Sequence, residues 1–227
     1  SVPLGPALEG IGPQCGRMAG PGSITRFEVS PLGLACHSVD GPLAAGADVQ
    51  GISATGYLSL LALLLRLGCL DADGHFRTPA SPLARRVAPP PQQARTGLRL
   101  PLPYGQWLAA ADVEELLKVK AAFSQALEAL LRAAGLAAAD VACLALAGAL
   151  GEHCPPACLE ELGFLPSGMG RRVRAVGNSS LDGAALLAAE PWRLPALARW
   201  CAAATLVPVA EDPGFHADYL RHMRFGV

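Results

Sequence analysis

Apolar and polar positions along this chain follow two periods, and each change of period marks an element. Ile24 to Val29 and Leu34 to Val39 read as short strands joined at Pro31-Leu-Gly33, which predicts a hairpin. Gly51-Ile-Ser-Ala-Thr-Gly56 opens an apolar helix over Tyr57 to Leu67, and Gly68 suits its C-terminal end. Asp71-Ala-Asp-Gly74 is a turn. The strongest helix is Ala110 to Ala134. Val113, Leu116, Leu117, Val119, Phe123, Leu127, Leu130 and Leu131 recur there at helical spacing, and Gly135 ends it. Its Lys118, Lys120 and three glutamates read as a solvated face. Val141 to Ala147 is a strand-length apolar run ending in Gly148 and Gly151, with a short helix over Pro156 to Leu162. Arg172 to Val176 is a second strand, ending in Gly177-Asn-Ser-Ser180, and a helix follows over Leu181 to Ala189. A helix over Pro195 to Ala204 and a strand over Thr205 to Val209 come next. The last helix, Pro213 to Met223, puts Phe215, Tyr219, Leu220 and Met223 on one face and His216 and His222 on a wet one.

From Val141 the order is strand, helix, strand, helix, with connections of crossover length. That order predicts parallel strands in an α/β layer. Both strands deliver glycine at their C-terminal ends, the edge where open α/β sheets bind ligands. A strand, a glycine turn and a helix let a backbone approach a nucleotide closely. The same residues also make an ordinary tight turn, so both readings stay open here. The small residues from Gly51 to Gly56 leave N–H groups free for an anion; ordinary capping by Ser53 or Thr55 explains them equally well.

Composition narrows the class. The 18 basic and 19 acidic residues balance, so no basic stripe points to nucleic acid. The longest apolar run, Tyr57 to Leu70, is interrupted by Arg66 and falls short of the ~20 residues a bilayer span needs. No export signal is visible, and seven scattered cysteines fit reduced thiols in a cytoplasmic protein. Only Cys154 and Cys158 lie close together, and no second pair completes a tetrahedral metal set, so no metal site is expected. Ser1 to Gly22 carries glycine or proline at ten positions and reads as a loop that needs a partner. Glu9 is its one carboxylate, either a solvated or helix-start residue or a catalytic one. Thr78 to Gln93, centred on Pro89-Pro-Pro91, reads as an extended loop.

These segments, in this order, resemble the C-terminal part of the reductive activators of corrinoid proteins, ferredoxin-linked ATPases of the actin-like superfamily. Gly5-Pro-Ala-Leu-Glu-Gly10 matches the family's Gly-Pro-Ala-Phe-Glu-Gly, and Cys15-Gly and Pro21-Gly-Ser-Ile24 continue it. Gly51 to Gly56 and Asp71-Ala-Asp-Gly-His-Phe76 match the next two segments. Asp112-Val-Glu-Glu-Leu116 with Lys120-Ala-Ala122 matches the long helix. Leu146-Ala-Gly-Ala-Leu-Gly151, Gly177-Asn-Ser-Ser-Leu-Asp-Gly-Ala184 and Asp212-Pro-Gly-Phe215 complete the set.

The resemblance implies an α/β, actin-like (ribonuclease H-like) lobe with parallel strands and flanking helices, part of a two-lobe domain. Residues 1–50 would complete the upstream lobe and 51–227 would form the C-terminal lobe, with a Pro-rich insertion at about 78–100. It implies ATP and Mg²⁺ as cofactors, with Gly148, Ala149, Leu150 and Gly151 against the adenosine. Glu115 and Lys120 would flank the adenosine, Gly177 and Asn178 would support the same edge, and Gly51, Thr55 and Gly56 are candidate phosphate-loop residues. Its partners would be a corrinoid protein, the remaining lobe and an iron–sulfur ferredoxin domain, with a homodimer also admitted. The implied function is re-reduction of a corrinoid cofactor from Co(II) to Co(I), driven by ATP, with electrons from the iron–sulfur domain. Ala149 departs from the family's glycine, and these residues hold neither phosphate loop nor a four-cysteine ferredoxin spacing. The alternative is therefore a decayed nucleotide site serving as a protein-interaction module.

Overall fold

The computed structural model describes residues 12–95 and 97–226, and of Ala149 and Leu150 only the backbone. Glu9 lies outside the described residues.

The core is built around helix α1, Ala54–Arg66. It is apolar on every face, and Tyr57, Leu58, Leu60, Leu61 and Leu64 are fully enclosed. Ser53 caps it, its hydroxyl accepting the Gly56 amide at 3.2 Å. Strands β1 (Ser23–Ile24) and β5 (Gly51–Ile52) pair in parallel beneath its start. The expected hairpin forms as β2 (Arg26–Ser30) and β3 (Gly33–Ser38), joined by a two-residue turn. Strand β4 (Gly41–Pro42) adds to β3.

The proline-rich stretch is more ordered than its composition suggests. Ser81 caps a short helix α2, Pro82–Val87, whose Pro82 occupies the first turn, where a missing N–H has no consequence. Ala84, Val87 and Ala88 are buried. Strands β6 (Gln92–Ala94), β7 (Gly97–Pro101) and β8 (Trp107–Ala109) then form an antiparallel meander.

Helix α3, Ala110–Ala133, follows the expected bounds. Asp112 fixes its entry: one carboxylate oxygen accepts the Ala109 amide at 3.1 Å and the other the Gln14 amide at 3.0 Å. Burial raises the Asp112 pKa against the pull of those two amides. Alanine at 112 is expected to cost about 2 kcal/mol in chemical denaturation, because two donors lose their acceptor away from water.

Strand β9 (Leu144–Leu146), helix α4 (Gly148–His153), helix α5 (Pro156–Glu161) and strand β10 (Val173–Ala175) follow. β9 and β10 pair in parallel, with Leu144 opposite Val173 and Leu146 opposite Ala175, as their crossover predicts. Helix α6 (Ser179–Ala189) is capped by the Asn178 side chain, and helix α7 (Leu194–Ala203) comes next. Residues 205–209 do not form the expected strand. Pro208 lacks a ladder donor, and a single helical turn over Val209–Glu211 takes its place.

Helix α8, Phe215–His222, lies on α3. The expected wet and dry faces are partly exchanged: Leu220 is 59% exposed, whereas His222 is buried and its Nε2 meets Glu128 Oε2 at 2.8 Å. The solvated-face expectation also fails at Lys120, which is fully enclosed. Its ammonium donates to the carbonyls of His222 at 3.1 Å and Arg224 at 2.7 Å, tying the closing segment to α3. The end is fixed a second time at the 71–76 turn, where Phe225 donates its amide to Ala72 O and Arg224 pairs with Asp73. No helix among the described residues is long and apolar enough to cross a membrane.

Candidate functional site

The two glycine turns predicted from sequence meet in space. The Gly148 amide donates to the Gly177 carbonyl at 2.7 Å, so the turns that leave β9 and β10 are bonded side by side at the C-terminal edge of the pair. Gly148 has φ +82° and Gly177 φ +63°, conformations that favour glycine, and a Cβ at either would project into open space. Gly151 is glycine for another reason. A Cβ there would lie 2.7 Å from the Leu146 carbonyl oxygen, so α4 could not sit so close to the end of β9. The arrangement leaves uncovered main chain at the strand ends, a surface against which a flat nucleoside can lie. Asn178 spends its side-chain oxygen on the Leu181 amide, capping α6 at 3.2 Å.

A groove of about 1490 Å³ runs from this edge along α1. Gly148, Ala147, His153 and Cys158 line one wall, Phe27, Glu28, Val29 and His37 the other, and Ser53, Thr55, Ser59, Leu63 and Arg66 the floor. On the rim, Glu28 pairs with Arg26 at 3.0 Å and meets His37 Nε2 at 3.0 Å, and Arg66 pairs with Glu161 at 3.1 Å. Thr55 therefore shares one cavity with Gly148, and its hydroxyl lies 3.0 Å from that of Ser53. Thr55 was a candidate from sequence, but Ser59, Leu63 and Arg66 were missed because apolar residues dominate α1. The spacing of Thr55, Ser59, Leu63 and Arg66, every three or four residues, was the available signal.

The other candidates lie elsewhere. Gly51 and Gly56 are packing glycines: a Cβ at 51 would sit 2.8 Å from the Cys15 carbonyl oxygen, and one at 56 would sit 2.4 Å from that of Ile24. Glu115 is exposed and pairs with Lys118 at 2.9 Å. Neither Glu115 nor Lys120 lines the groove. Burial, with Arg221 nearby, lowers the Lys120 pKa to about 8. Cys154 and Cys158 are buried; a hydrogen bond between their thiols, reinforced by burial, holds Cys154 protonated. Asp71, Asp73 and His75 converge closely enough to contact a cation, but Arg77 and Arg224 already neutralise the two carboxylates.

Three comparisons bear on this geometry. Residues 1–226 match the family model described as the C-terminal domain of RACo, the ASKHA domain. The corrinoid activation enzyme RamQ of Eubacterium limosum is 26% identical over 235 residues, an alignment covering 100% of this chain and 39% of RamQ. A solved structure, the reductive activator for corrinoid, iron–sulfur protein, matches with a TM-score of 0.82 at 24% identity, over 98% of this chain and 35% of that one. The last likeness is one of fold. The chain spans well under half the length of both relatives.

Proposed function

Because the chain belongs to the family of RACo C-terminal ASKHA domains, we propose that it forms the C-terminal part of an ATP-dependent reductive activator. In this reading the activator returns the cobalt of a corrinoid protein from Co(II) to Co(I), one electron at a time. The electron would come from an iron–sulfur domain outside these residues. The similarity to RamQ, a corrinoid activation enzyme, supports the corrinoid partner.

The observation that carries the nucleotide part is the Gly148–Gly177 hydrogen bond, which joins two uncovered glycine turns at the ligand-binding edge of a parallel pair. Both glycines leave open space where a side chain would project, which fits a nucleoside laid on the main chain. In the proposal, Gly148 to Gly151 contact the adenosine face, Gly177 and Asn178 keep that edge in register, and Thr55 lies further along the same cleft. Lys120 acts at a distance, by holding the closing segment. When bound with Mg²⁺, ATP would supply the free energy for an otherwise uphill electron transfer.

Gly148→Ala tests this in the chain joined to the rest of an activator. The strained positive φ should cost about 1 kcal/mol of stability. Isothermal titration with ATP and Mg²⁺ should show affinity weakened at least tenfold, about 1.4 kcal/mol. Unchanged affinity would remove the glycine turn from the site.

A further inference from the structure

One pair of nucleophilic side chains takes no part in the proposed nucleotide chemistry. Cys154 follows the last residue of α4, and Cys158 lies in the first turn of α5. Both are free thiols, and they share a hydrogen bond. The joint holds them together. Pro155 and Pro156 fix φ at two of the three residues between them. The Cys158 amide donates to the Pro155 carbonyl at 2.9 Å, and the Cys158 sulfur lies 3.9 Å from the Leu58 carbonyl of α1. The main chain between the sulfurs therefore has little freedom left to lose, and bonding them costs little further entropy.

The pair also differs from the other cysteines in reactivity. Burial pushes the Cys36 thiol up to about 12 and raises those of Cys15 and Cys69. At Cys158 the hydrogen bond from Cys154 lowers the pKa, with Arg66 assisting against burial and Glu161. Cys154 keeps its proton. A reactive dithiol needs that division: one sulfur attacks, and the other, already in contact, resolves. Cys158 retains 9% exposure, whereas Cys154 at 3% is shut in.

We propose that Cys154 and Cys158 are a reversible oxidation site for peroxides, closing a disulfide between α4 and α5. The Cys158 thiolate attacks one oxygen of hydrogen peroxide. The O–O bond breaks, a sulfenic acid forms, and hydroxide leaves to take up the proton the thiol released. The Cys154 sulfur then attacks the sulfenic sulfur, the S–O bond breaks, and the Cys154 proton leaves with that oxygen as water. The two thiols lose two electrons, the peroxide gains them, and two waters form.

The new bond draws the sulfurs from hydrogen-bond contact to about 2.05 Å. Cys158 is fixed against α1, so Cys154 moves, and with it the end of α4. That helix has no slack: a Cβ at Gly151 would lie 2.7 Å from the Leu146 carbonyl oxygen. Oxidation therefore pulls on the turn that begins at Gly148. Its effect on ATP rests on the functional reading above; the disulfide does not.

Hydrogen peroxide tests the site on the Cys143→Ser/Cys201→Ser chain, which lacks the two exposed thiols. By mass spectrometry the peptide holding both residues should lose two hydrogens, and dithiothreitol should restore them. In that background Cys154→Ser should let Cys158 run on to sulfinic acid, and Cys158→Ser should leave Cys154 reduced. Thermal melts before oxidation establish that each variant is folded. Absence of the disulfide, pairing of either sulfur with another cysteine, or sulfinic acid at Cys158 while Cys154 is present would overturn the proposal. ATP titration of the reduced and oxidised chain separates the two readings. Affinity weakened at least fivefold by oxidation and restored by dithiothreitol supports the pull on Gly148, and unchanged affinity removes it. A disulfide in a chain that binds ATP in neither state fails the nucleotide reading and keeps the oxidation site.

Discussion

Gly56→Ala is expected to destabilise the chain by about 3 kcal/mol, the upper range for forcing one methyl into a packed core. The added Cβ would meet the Ile24 carbonyl oxygen at 2.4 Å and Ile52 Cγ2 at 2.9 Å. Neither neighbour can yield cheaply. Ile24 is a strand residue whose carbonyl also accepts the Ser53 amide at 2.9 Å, and Ile52 is its partner in the β1–β5 pair. For a domain of this size the melting temperature should fall by roughly 6–12 °C. A melt that moves by less than a degree would mean that α1 does not lie so close to β1. It would also return Gly56 to the phosphate-loop reading that its sequence first suggested.

The second large effect is one of pH. Lys120 has a folded-state pKa of about 8, against 10.5 for an ordinary lysine, chiefly because it is buried. Below pH 8 the amine is charged in both states, and the folded state carries the full penalty of burying it. As pH rises from 8 to 10.5 the folded state releases its proton first, and the penalty fades. Wild-type stability should therefore gain on that of Lys120→Met over this interval, by up to about 3 kcal/mol. Comparison with the methionine variant cancels the titration of tyrosines and cysteines, which both proteins share. The two carbonyls of His222 and Arg224 keep a donor in wild type at every pH, since the neutral amine also carries N–H groups. Urea denaturation of both proteins across the interval measures the gap. A gap that stays constant, or closes as pH rises, contradicts a buried lysine here.

Local signals carried much of the architecture. The hairpin at Pro31-Leu-Gly33, the C-terminal end of α1, the bounds of α3, and the parallel β9–β10 pair were all written in periodicity and glycine placement, whereas α1 begins at Ala54, three residues before the expected Tyr57. The motif order also identified the family, which no single segment could have done. Contacts between distant segments were not legible. Lys120 looks like one more charge on a helix until α8 and the closing segment, some hundred residues later, cover it. His222 is hidden for the same reason. Pro82 lies in the proline-rich stretch 78–93, whose composition points to an extended loop, although proline at the first turn of a helix is favourable. Gly51, Gly56 and Gly151 were visible as glycines, but only the structure separates those that make room for a neighbouring backbone from Gly148 and Gly177, whose positive φ leaves an open surface. The groove could not be read at all, because its lining comes from segments around Phe27 and Gly148 that lie more than a hundred residues apart in sequence.

The central claim is that the joined glycine turns hold an adenine nucleotide. The most direct measurement is the amide spectrum of the isotopically labelled chain, by nuclear magnetic resonance, during titration with ATP and Mg²⁺. The account predicts that the amides of Gly148, Gly151 and Gly177 shift together along one binding curve, while those of Glu115 and Lys120 follow weakly or not at all. It also predicts that in Gly148→Ala the same set shifts only at nucleotide concentrations at least tenfold higher. A titration to saturation in which those three glycines stay still, or one whose shifts centre on α3, would contradict it.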